Sequence, residues 1–521
     1  MKAGFRQSMA WLHTWSGLLL GWLLFVMFAC GTAAYFQDEI TRWMQPEVTT
    51  EVTPAKAADA AARWLQANAP GASRWYITLP GKRSATTQLF WTPGEGRTRG
   101  PRTKAVIDGN GQEVAARASA GGYFLYRFHF DLHYIPVIWA RYIVGVGAMF
   151  MLVAIFSGIV THKKIFADFF MLRFGKGQRS WLDAHNVTAV LALPFYLMIT
   201  YTGLVSLDRQ YVPAPIAAAY PEPDAFNAES FPQGGEAEAA GKPAPLASLA
   251  TMVAIADRHW GGAGVGYAYV TNPGDAAARV VLTRAPSASM DSNGETLQFD
   301  GVSGRLLWVA PEAGAAMRTR GVMIGLHAGR YADVALRWLY FLSGLDGTIM
   351  VGTGLILWTV KRRSKLPDPV RPHIGFRIVE RLNIAVILGF PIGLAGYFLA
   401  NRLLPLGMAA RADWEVHSLF LTWGAMLLIA LVRPPRRAWI ELSAVGALLF
   451  GAIPLVSALT TDRTLVASLL AGNWTFIGFE LTMIAFAAAF ACASWKVAAA
   501  AVAARGRPHR VKRSHHGEAR A

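Results

Sequence analysis

The chain is poor in cysteine and in charge. Its 521 residues include two cysteines, Cys30 and Cys492, in apolar runs near opposite ends. A disulfide scaffold, a thiolate zinc site, an iron–sulfur cluster and a C-x-x-C-H haem attachment therefore all lack their ligands. Charged residues make up 16% and apolar residues 53%, which excludes an ordinary secreted or cytosolic enzyme and places the chain among membrane proteins. Acidic residues number 33 against 50 basic ones, a formal charge of +17. Nucleic acid is nevertheless excluded as a partner, because the Lys and Arg fall mostly in short loops beside apolar segments, the positive-inside pattern. No G-x-G-x-x-G sits between a strand and a helix, and the basic loops are too short for a flavin or nicotinamide domain.

What the chain does have is long apolar runs. A bilayer core of about 30 Å needs roughly 20 apolar residues per helix. Eight segments reach that length, near residues 9–36, 139–162, 184–207, 336–360, 378–400, 414–432, 438–459 and 474–495. Positive charge gathers at Lys2 and Arg6, at Lys163, Lys164, Arg173, Lys176 and Arg179, at Lys361 to Lys365, at Arg433 to Arg437, and from Lys496 to Arg520. All of these lie on one side of an eight-helix topology, so both termini are expected in the cytoplasm. The first apolar run is longer than a signal-peptide core and reads as an uncleaved helix.

Two long loops, 37–138 and 208–335, face the other side and read as small α+β units. In the first, a helix over Pro54 to Gln66 precedes strands at Trp75-Tyr-Ile-Thr-Leu, Thr87-Gln-Leu-Phe-Trp and Lys104-Ala-Val-Ile-Asp. In the second, a Pro, Ala and Glu-rich linker from Pro213 to Pro245 leads to a helix over Leu246 to His259. Strands at Gly266 to Thr271 and Arg279 to Thr283 follow, then a hairpin over Thr296 to Trp308. Asp108-Gly-Asn-Gly and Asp300-Gly-Val-Ser-Gly occupy matching hairpin turns, which suggests a duplicated module.

The twelve histidines gather at membrane boundaries, apart from His509, His515 and His516 in the basic tail. His13, His162 and His185 share the cytoplasmic boundary; His129, His133 and His327 share the other. Polar groups at membrane depth are costly and mark cofactors or conduction paths. Haem iron takes two axial ligands on opposite ring faces, and each cluster has enough imidazoles for one such pair. Zinc is the rival for His129 and His133, which are spaced i, i+4, but no Glu completes a His-Glu-x-x-His arrangement. Gly17, Gly21, Gly145, Gly147, Gly158, Gly344, Gly347, Gly352 and Gly354 permit close helix packing or leave room for a porphyrin edge. Arg127, Arg141, Arg330 and Arg337 flank the outer histidines and suit haem propionates, with Arg141 and Arg330 the chosen candidates.

The stretches Trp11-Leu-His-Thr-Trp-Ser-Gly, Phe128-His-Phe-Asp-Leu-His, Trp181-Leu-Asp-Ala-His-Asn, Arg337-Trp-Leu-Tyr-Phe-Leu-Ser-Gly-Leu and Thr353-Gly-Leu-Ile-Leu-Trp resemble the PepSY-associated transmembrane helix family, and the two outside units resemble PepSY domains. The similarity covers residues 1–363. It implies a polytopic α-helical membrane protein of the bacterial inner membrane, with about eight transmembrane helices and two small periplasmic α+β PepSY-like modules. The family is associated with iron acquisition and includes reductases of ferric siderophores that carry two b-type haems. Carried onto this sequence, the ligand positions are His13, His133, His162, His185 and His327, with His129 a further match. Helices five to eight are an addition to the four-helix pattern, expected as a packing or quinone-facing appendage.

The expected layout is residues 1–36 as cytoplasmic start and first helix, 37–138 as first module, 139–207 as two helices around a basic loop, 208–335 as linker and second module, 336–363 as fourth helix, 364–377 as basic loop, 378–495 as C-terminal bundle and 496–521 as cytoplasmic tail. The expected chemistry is one-electron reduction of a ferric siderophore or other ferric chelate at the periplasmic face, because hard oxygen ligands hold Fe(III) more tightly than Fe(II). Electrons would come from a quinol or a separate cytosolic reductase. The inner haem is expected on His13 and His185, with His162 beside them; the outer haem on His133 and His327, with His129 in reserve. His133 and His162 lie 29 residues apart, about 43 Å along a continuous helix, enough to separate two haems across a bilayer. Two other classes stay open: a PepSY-based periplasmic binding or sensor protein with a membrane anchor, and a siderophore or iron permease.

Overall fold

The structure, a computed structural model, describes residues 4–48, 53–81, 83–93, 103–162, 169–235 and 237–505. Lys163, Lys164 and the tail histidines lie outside the described residues. The chain divides into two compact units, residues 1–372 with 405–413, and residues 373–404 with 414–521. Among the described residues seven helices are long and apolar enough to cross a membrane, and there are eight if one bent pair counts as a single span.

The first unit starts with α1 (Phe5–Ala34), followed at once by the short α2 (Gln37–Met44). Then come α3 (Pro54–Asn68) and strands β1 (Ala72–Thr78), β2 (Thr87–Pro93) and β3 (Lys104–Ile107). The chain returns through α4 (Gly121–Asp131) into the long α5 (Val137–Thr161). Next comes the pair α6 (Gln178–Leu191) and α7 (Leu193–Ser206), bent by 66°. The sequence pattern predicts one straight helix over 184–207; the bend has a local cause. Pro194 has no N–H for the Val190 carbonyl, and the Ala192 N–H takes that carbonyl instead, which ends α6.

The short α8 (Asp208–Tyr211) follows, and the stretch expected as linker holds two more short helices, α9 (Ala214–Ala219) and α10 (Pro223–Ser230). After it come α11 (Leu249–His259) and strands β4 (Val265–Thr271), β5 (Arg279–Arg284), β6 (Thr296–Asp300) and β7 (Leu306–Val309). Helix α12 (Ala315–Ala328) then leads into α13 (Val334–Arg363).

The two outside units do not form separate sheets. Their strands join in one antiparallel sheet of order β3-β2-β1-β4-β5-β6-β7, closed at the centre where Tyr76 of β1 is paired with Tyr269 of β4. Alternation along β1 buries Trp75 and Ile77 and turns Tyr76 outward, and β4 buries Ala268 and Val270 in the same way. The inward residues of both units make one core with Ala57, Ala61 and Leu65 of α3 and Met252, Val253 and Ala256 of α11. Asp59 of α3 ties the helices together: it accepts hydrogen bonds from Ser248 Oγ and Ala250 N at the start of α11. The matching turns are real: Asp108 Oδ1 accepts from Asn110 N and Gln112 N, and Asp300 Oδ1 from Val302 N and Ser303 N. Gly111 and Gly304 take the positive φ that closes each turn.

Helices α1 and α13 approach closely because small residues line the seam. A Cβ on Gly344 would lie 2.4 Å from Thr32 Oγ1, and one on Gly347 would lie 2.7 Å from Phe28. Side chains facing away, such as Leu19 and Leu339, are exposed as a lipid-facing surface requires.

The second unit holds one crossing built from α14 (Ile374–Ile387) and α15 (Gly389–Leu403), then α16 (Arg411–Val432) from residue 414 onward, α17 (Pro435–Thr460), the short α18 (Leu465–Leu470) and α19 (Trp474–Arg505). Ile384, Ile392, Met426, Ala430 and Leu442 form its core. A buried polar chain runs through it: Arg402 Nη1 donates to Asn401 Oδ1 at 2.6 Å, and Asn401 Nδ2 to Glu415 Oε1 at 2.7 Å.

Two facing imidazole pairs

Near one end of the first unit the rings of His13 (α1) and His185 (α6) face each other with centroids 6.2 Å apart. Near the other end His129 (α4) and His327 (α12) do the same at 6.1 Å. Two imidazoles that share one metal ion, each bound at about 2 Å through a nitrogen about 1 Å from its ring centroid, have centroids about 6 Å apart.

All four rings are held by one device. His13 Nδ1 meets the Ala154 carbonyl at 2.8 Å, His185 Nδ1 the Met350 carbonyl at 2.9 Å, His129 Nδ1 the Met27 carbonyl at 2.6 Å, and His327 Nδ1 the Ile199 carbonyl at 2.9 Å. A carbonyl only accepts, so Nδ1 carries the proton in each ring and Nε2 keeps the lone pair a metal needs. In a helix that carbonyl already bonds the N–H four residues on, and a side chain at that position would crowd the approach to its second lone pair. In all four cases the residue four positions on is glycine: Gly158, Gly354, Gly31 and Gly203. A Cβ there would lie 3.2, 3.0, 2.8 and 2.9 Å from the respective imidazole. The glycines read in the sequence as room for a porphyrin edge divide accordingly: Gly158 and Gly354 seat ligand-type imidazoles, whereas Gly21 and Gly145 pack against Leu355 and Tyr211.

The arrangement is duplicated. His13 and Gly31 are 18 residues apart, and so are His185 and Gly203. Each half of the first unit therefore supplies one imidazole and one seat to each pair. Along α1 the spacing puts the two pairs about 27 Å apart.

The remaining histidines have other surroundings. His133, expected opposite His327, packs edge-on against Phe124 and against Tyr134 at 4.2 Å; the ring facing His327 is His129. Helix α4 ends at Asp131, and Leu132 and Tyr134 take positive φ, so the chain turns before His133 and the expected shared helical face does not exist. His162 Nε2 accepts from Asn186 Nδ2 at 2.8 Å, next to His185. His373 caps α14, and His417 lies against Trp414. Among the described residues no three His, Cys, Asp or Glu converge on one point, so the zinc alternative for His129 and His133 has no third ligand.

At the outer pair Arg127 and Arg141 both bind Asp131, Arg141 at 2.8 Å, and both guanidinium groups lie over Phe130. Two cations on one carboxylate leave a net positive charge two residues from His129. Arg330 acts on Asp38, and Arg337 and Arg83 both bind Glu39. Burial pushes the Glu39 carboxyl up, but hydrogen bonds and charge from Arg83 and Arg337 outweigh it and hold it below the usual range. On α13, eight residues beyond Gly354, the Arg362 guanidinium lies over the rings of Trp15 and Trp358, 4.9 and 4.5 Å from their centroids.

Residues 10–361 match the family described as the PepSY-associated TM region. The chain belongs to that family. It is also similar to an uncharacterized protein of Pseudomonas aeruginosa, 26% identical over 387 residues, which covers 69% of this chain and 91% of the relative. The PepSY-associated match takes in both imidazole pairs and all four glycine seats, and it stops short of the second unit.

Sequence reasoning did not identify the carbonyl seats, the contact of Arg362 with Trp15 and Trp358, or the contact between Tyr196 and Asp346. The twofold His-x17-Gly spacing is the signal that would have found the seats.

Proposed function

We propose that this PepSY-associated protein holds two b-type haems, one between His13 and His185 and one between His129 and His327, and carries electrons across the bacterial inner membrane. The observation that carries the reading is the fit of both pairs: centroid spacings of 6.2 and 6.1 Å, with Nε2 of every ring kept as the free lone pair by an Nδ1–carbonyl bond. The glycine seats support it, since a Cβ at Gly31 or Gly203 would displace the ring it faces, and one at Gly354 or Gly158 would crowd it. A haem held by two imidazoles would supply one-electron exchange with no open position for oxygen, which would suit relay.

The four histidines hold and orient; Arg127, Arg141 and Arg330 supply positive charge at the outer edge, where propionates would meet them. Arg362 with its two indoles does the same at the inner edge. The substrate of this reading is ferric iron in a siderophore or other chelate, met at the periplasmic face where the sheet stands. A quinol or a cytosolic reductase supplies the electrons, and both termini lie in the cytoplasm. Adding a ferric chelate to the dithionite-reduced, purified full chain tests it. Reoxidation of the haem spectrum with formation of Fe(II) supports the reading, and a spectrum that stays reduced contradicts it.

A further inference from the structure

Asp346 sits near the middle of α13. Apart from Asp183 near the start of α6, it is the one carboxyl group within the spanning helices of residues 1–372 among the described residues. Such a group is costly there and calls for a role. Its partner is the Tyr196 hydroxyl of α7, 2.6 Å from Asp346 Oδ2. The same hydroxyl lies 3.0 Å from the Thr188 carbonyl of α6. That carbonyl is available because the helix break turns the Ala192 N–H toward Val190. From α1, Phe28 packs edge-on against Tyr196. The groups facing Asp346 are thus Tyr196, with the Thr188 carbonyl behind it, and no other titratable or charged side chain among the described residues acts on it.

Three oxygens in a row with two short contacts need two hydrogens. Tyrosine brings one, so both contacts are hydrogen bonds only when Asp346 is protonated: Asp346 then donates to Tyr196, and Tyr196 donates to the Thr188 carbonyl. When Asp346 is ionised, Tyr196 donates to the carboxylate. The trio therefore accommodates two protonation states with a turn of one hydroxyl.

The place matters as much as the chemistry. Asp346 is eight residues from Gly354, the seat of His185, and Tyr196 seven from Gly203, the seat of His327. These are about 12 and about 10 Å along their helices. Unit charges at such distances, in an effective dielectric near 20, shift a proton equilibrium by about tenfold.

We propose that Asp346 is a proton-binding site on the electron path, and that it takes up a proton when an electron enters and releases it when the electron leaves. The proposal rests on the haem reading above. In balance, a one-electron reductant takes Fe(III) to Fe(II), and the Asp346 carboxylate with one proton from water becomes the carboxylic acid, so no net charge is added to the membrane interior.

The test is spectroelectrochemical titration of the haem-loaded full chain between about pH 5 and about pH 9. A midpoint potential should fall by about 59 mV in total as pH rises, the equivalent of a tenfold change for one electron. Asp346→Asn should flatten that profile with haem content and spectrum unchanged, and Asp346→Glu should restore it. Tyr196→Phe keeps the carboxyl and should move the pH at which the potential changes; this variant decides the matter if Asp346→Asn does not hold its haems. Flat wild-type potentials, a slope that survives Asp346→Asn, or a Tyr196→Phe profile identical to wild type would overturn the proton site alone. A wild-type chain without haem would overturn the function reading and this proposal with it.

Discussion

His129 reaches back from α4 to the carbonyl of Met27, and Gly31, one helical turn beyond that carbonyl, leaves its ring the space a Cβ would take. This contact decides which outer histidine faces His327. His129→Ala should remove one haem, and His133→Ala should leave both, because the His133 ring lies against Phe124 and Tyr134. At the inner pair, His13→Ala and His185→Ala should each remove one haem, whereas His162→Ala should leave haem content intact and shift the inner spectrum slightly. Haem per chain, measured by extraction on each purified variant, checks the set; loss on His133→Ala with retention on His129→Ala would reverse the assignment.

The glycine seats give a graded series. A Cβ would stand 2.8 Å from the ring at Gly31, 2.9 Å at Gly203, 3.0 Å at Gly354 and 3.2 Å at Gly158. Gly31→Ala and Gly203→Ala should damage the outer haem most, Gly354→Ala should damage the inner haem, and Gly158→Ala should be the mildest. Gly17→Ala is the control, since nothing lies within 4 Å of a Cβ there. Haem occupancy and midpoint potential are the readouts, and equal effects at Gly17 and Gly31 would argue against the seats.

The ordering of these effects shows what was legible in the sequence. Apolar length located the crossings, and period-two alternation located the strands from Trp75 to Trp308, because each follows from neighbours along the chain. Histidines at the boundaries were visible as polar groups in costly places. The partner of His327 was not, because it depends on where α4 stops: Leu132 and Tyr134 adopt positive φ, which no residue type there announces. The single sheet was hidden too, since the β1–β4 pairing joins strands about 190 residues apart and each reads alone as an edge. The bend at Ala192 was foreshadowed by Pro194, yet its apolar neighbours read as an uninterrupted span.

The shared sheet makes Asp59 a cross-brace. Removing its carboxylate leaves Ser248 Oγ and Ala250 N at the start of α11 without their acceptor. Asp59→Ala should cost about 1 kcal/mol. Hydrogen exchange should show β1 and β4 losing protection together; a loss confined to one of the two would mean that the units fold independently.

Glu39 clamps Arg83, in the loop before β2, to Arg337 at the start of α13. Its carboxyl is held below the usual range, so its stabilising contribution is full above the unfolded value of about 4.3 and is lost as pH falls through the lower folded value. Glu39→Gln should therefore be less stable than wild type at pH 7, and the gap should close as the pH falls below the ordinary carboxylate range. Denaturant midpoints across that range check the sign; a gap that widens in acid would contradict it.

The central claim is that each imidazole pair holds one haem. The most direct measurement is a reduced-minus-oxidised absorption spectrum of the purified full chain, expressed with ample haem, together with haem quantified per chain. Two b-type haems per chain, with the spectrum of low-spin, bis-imidazole iron, are the expected result. One haem per chain, or none, would contradict it.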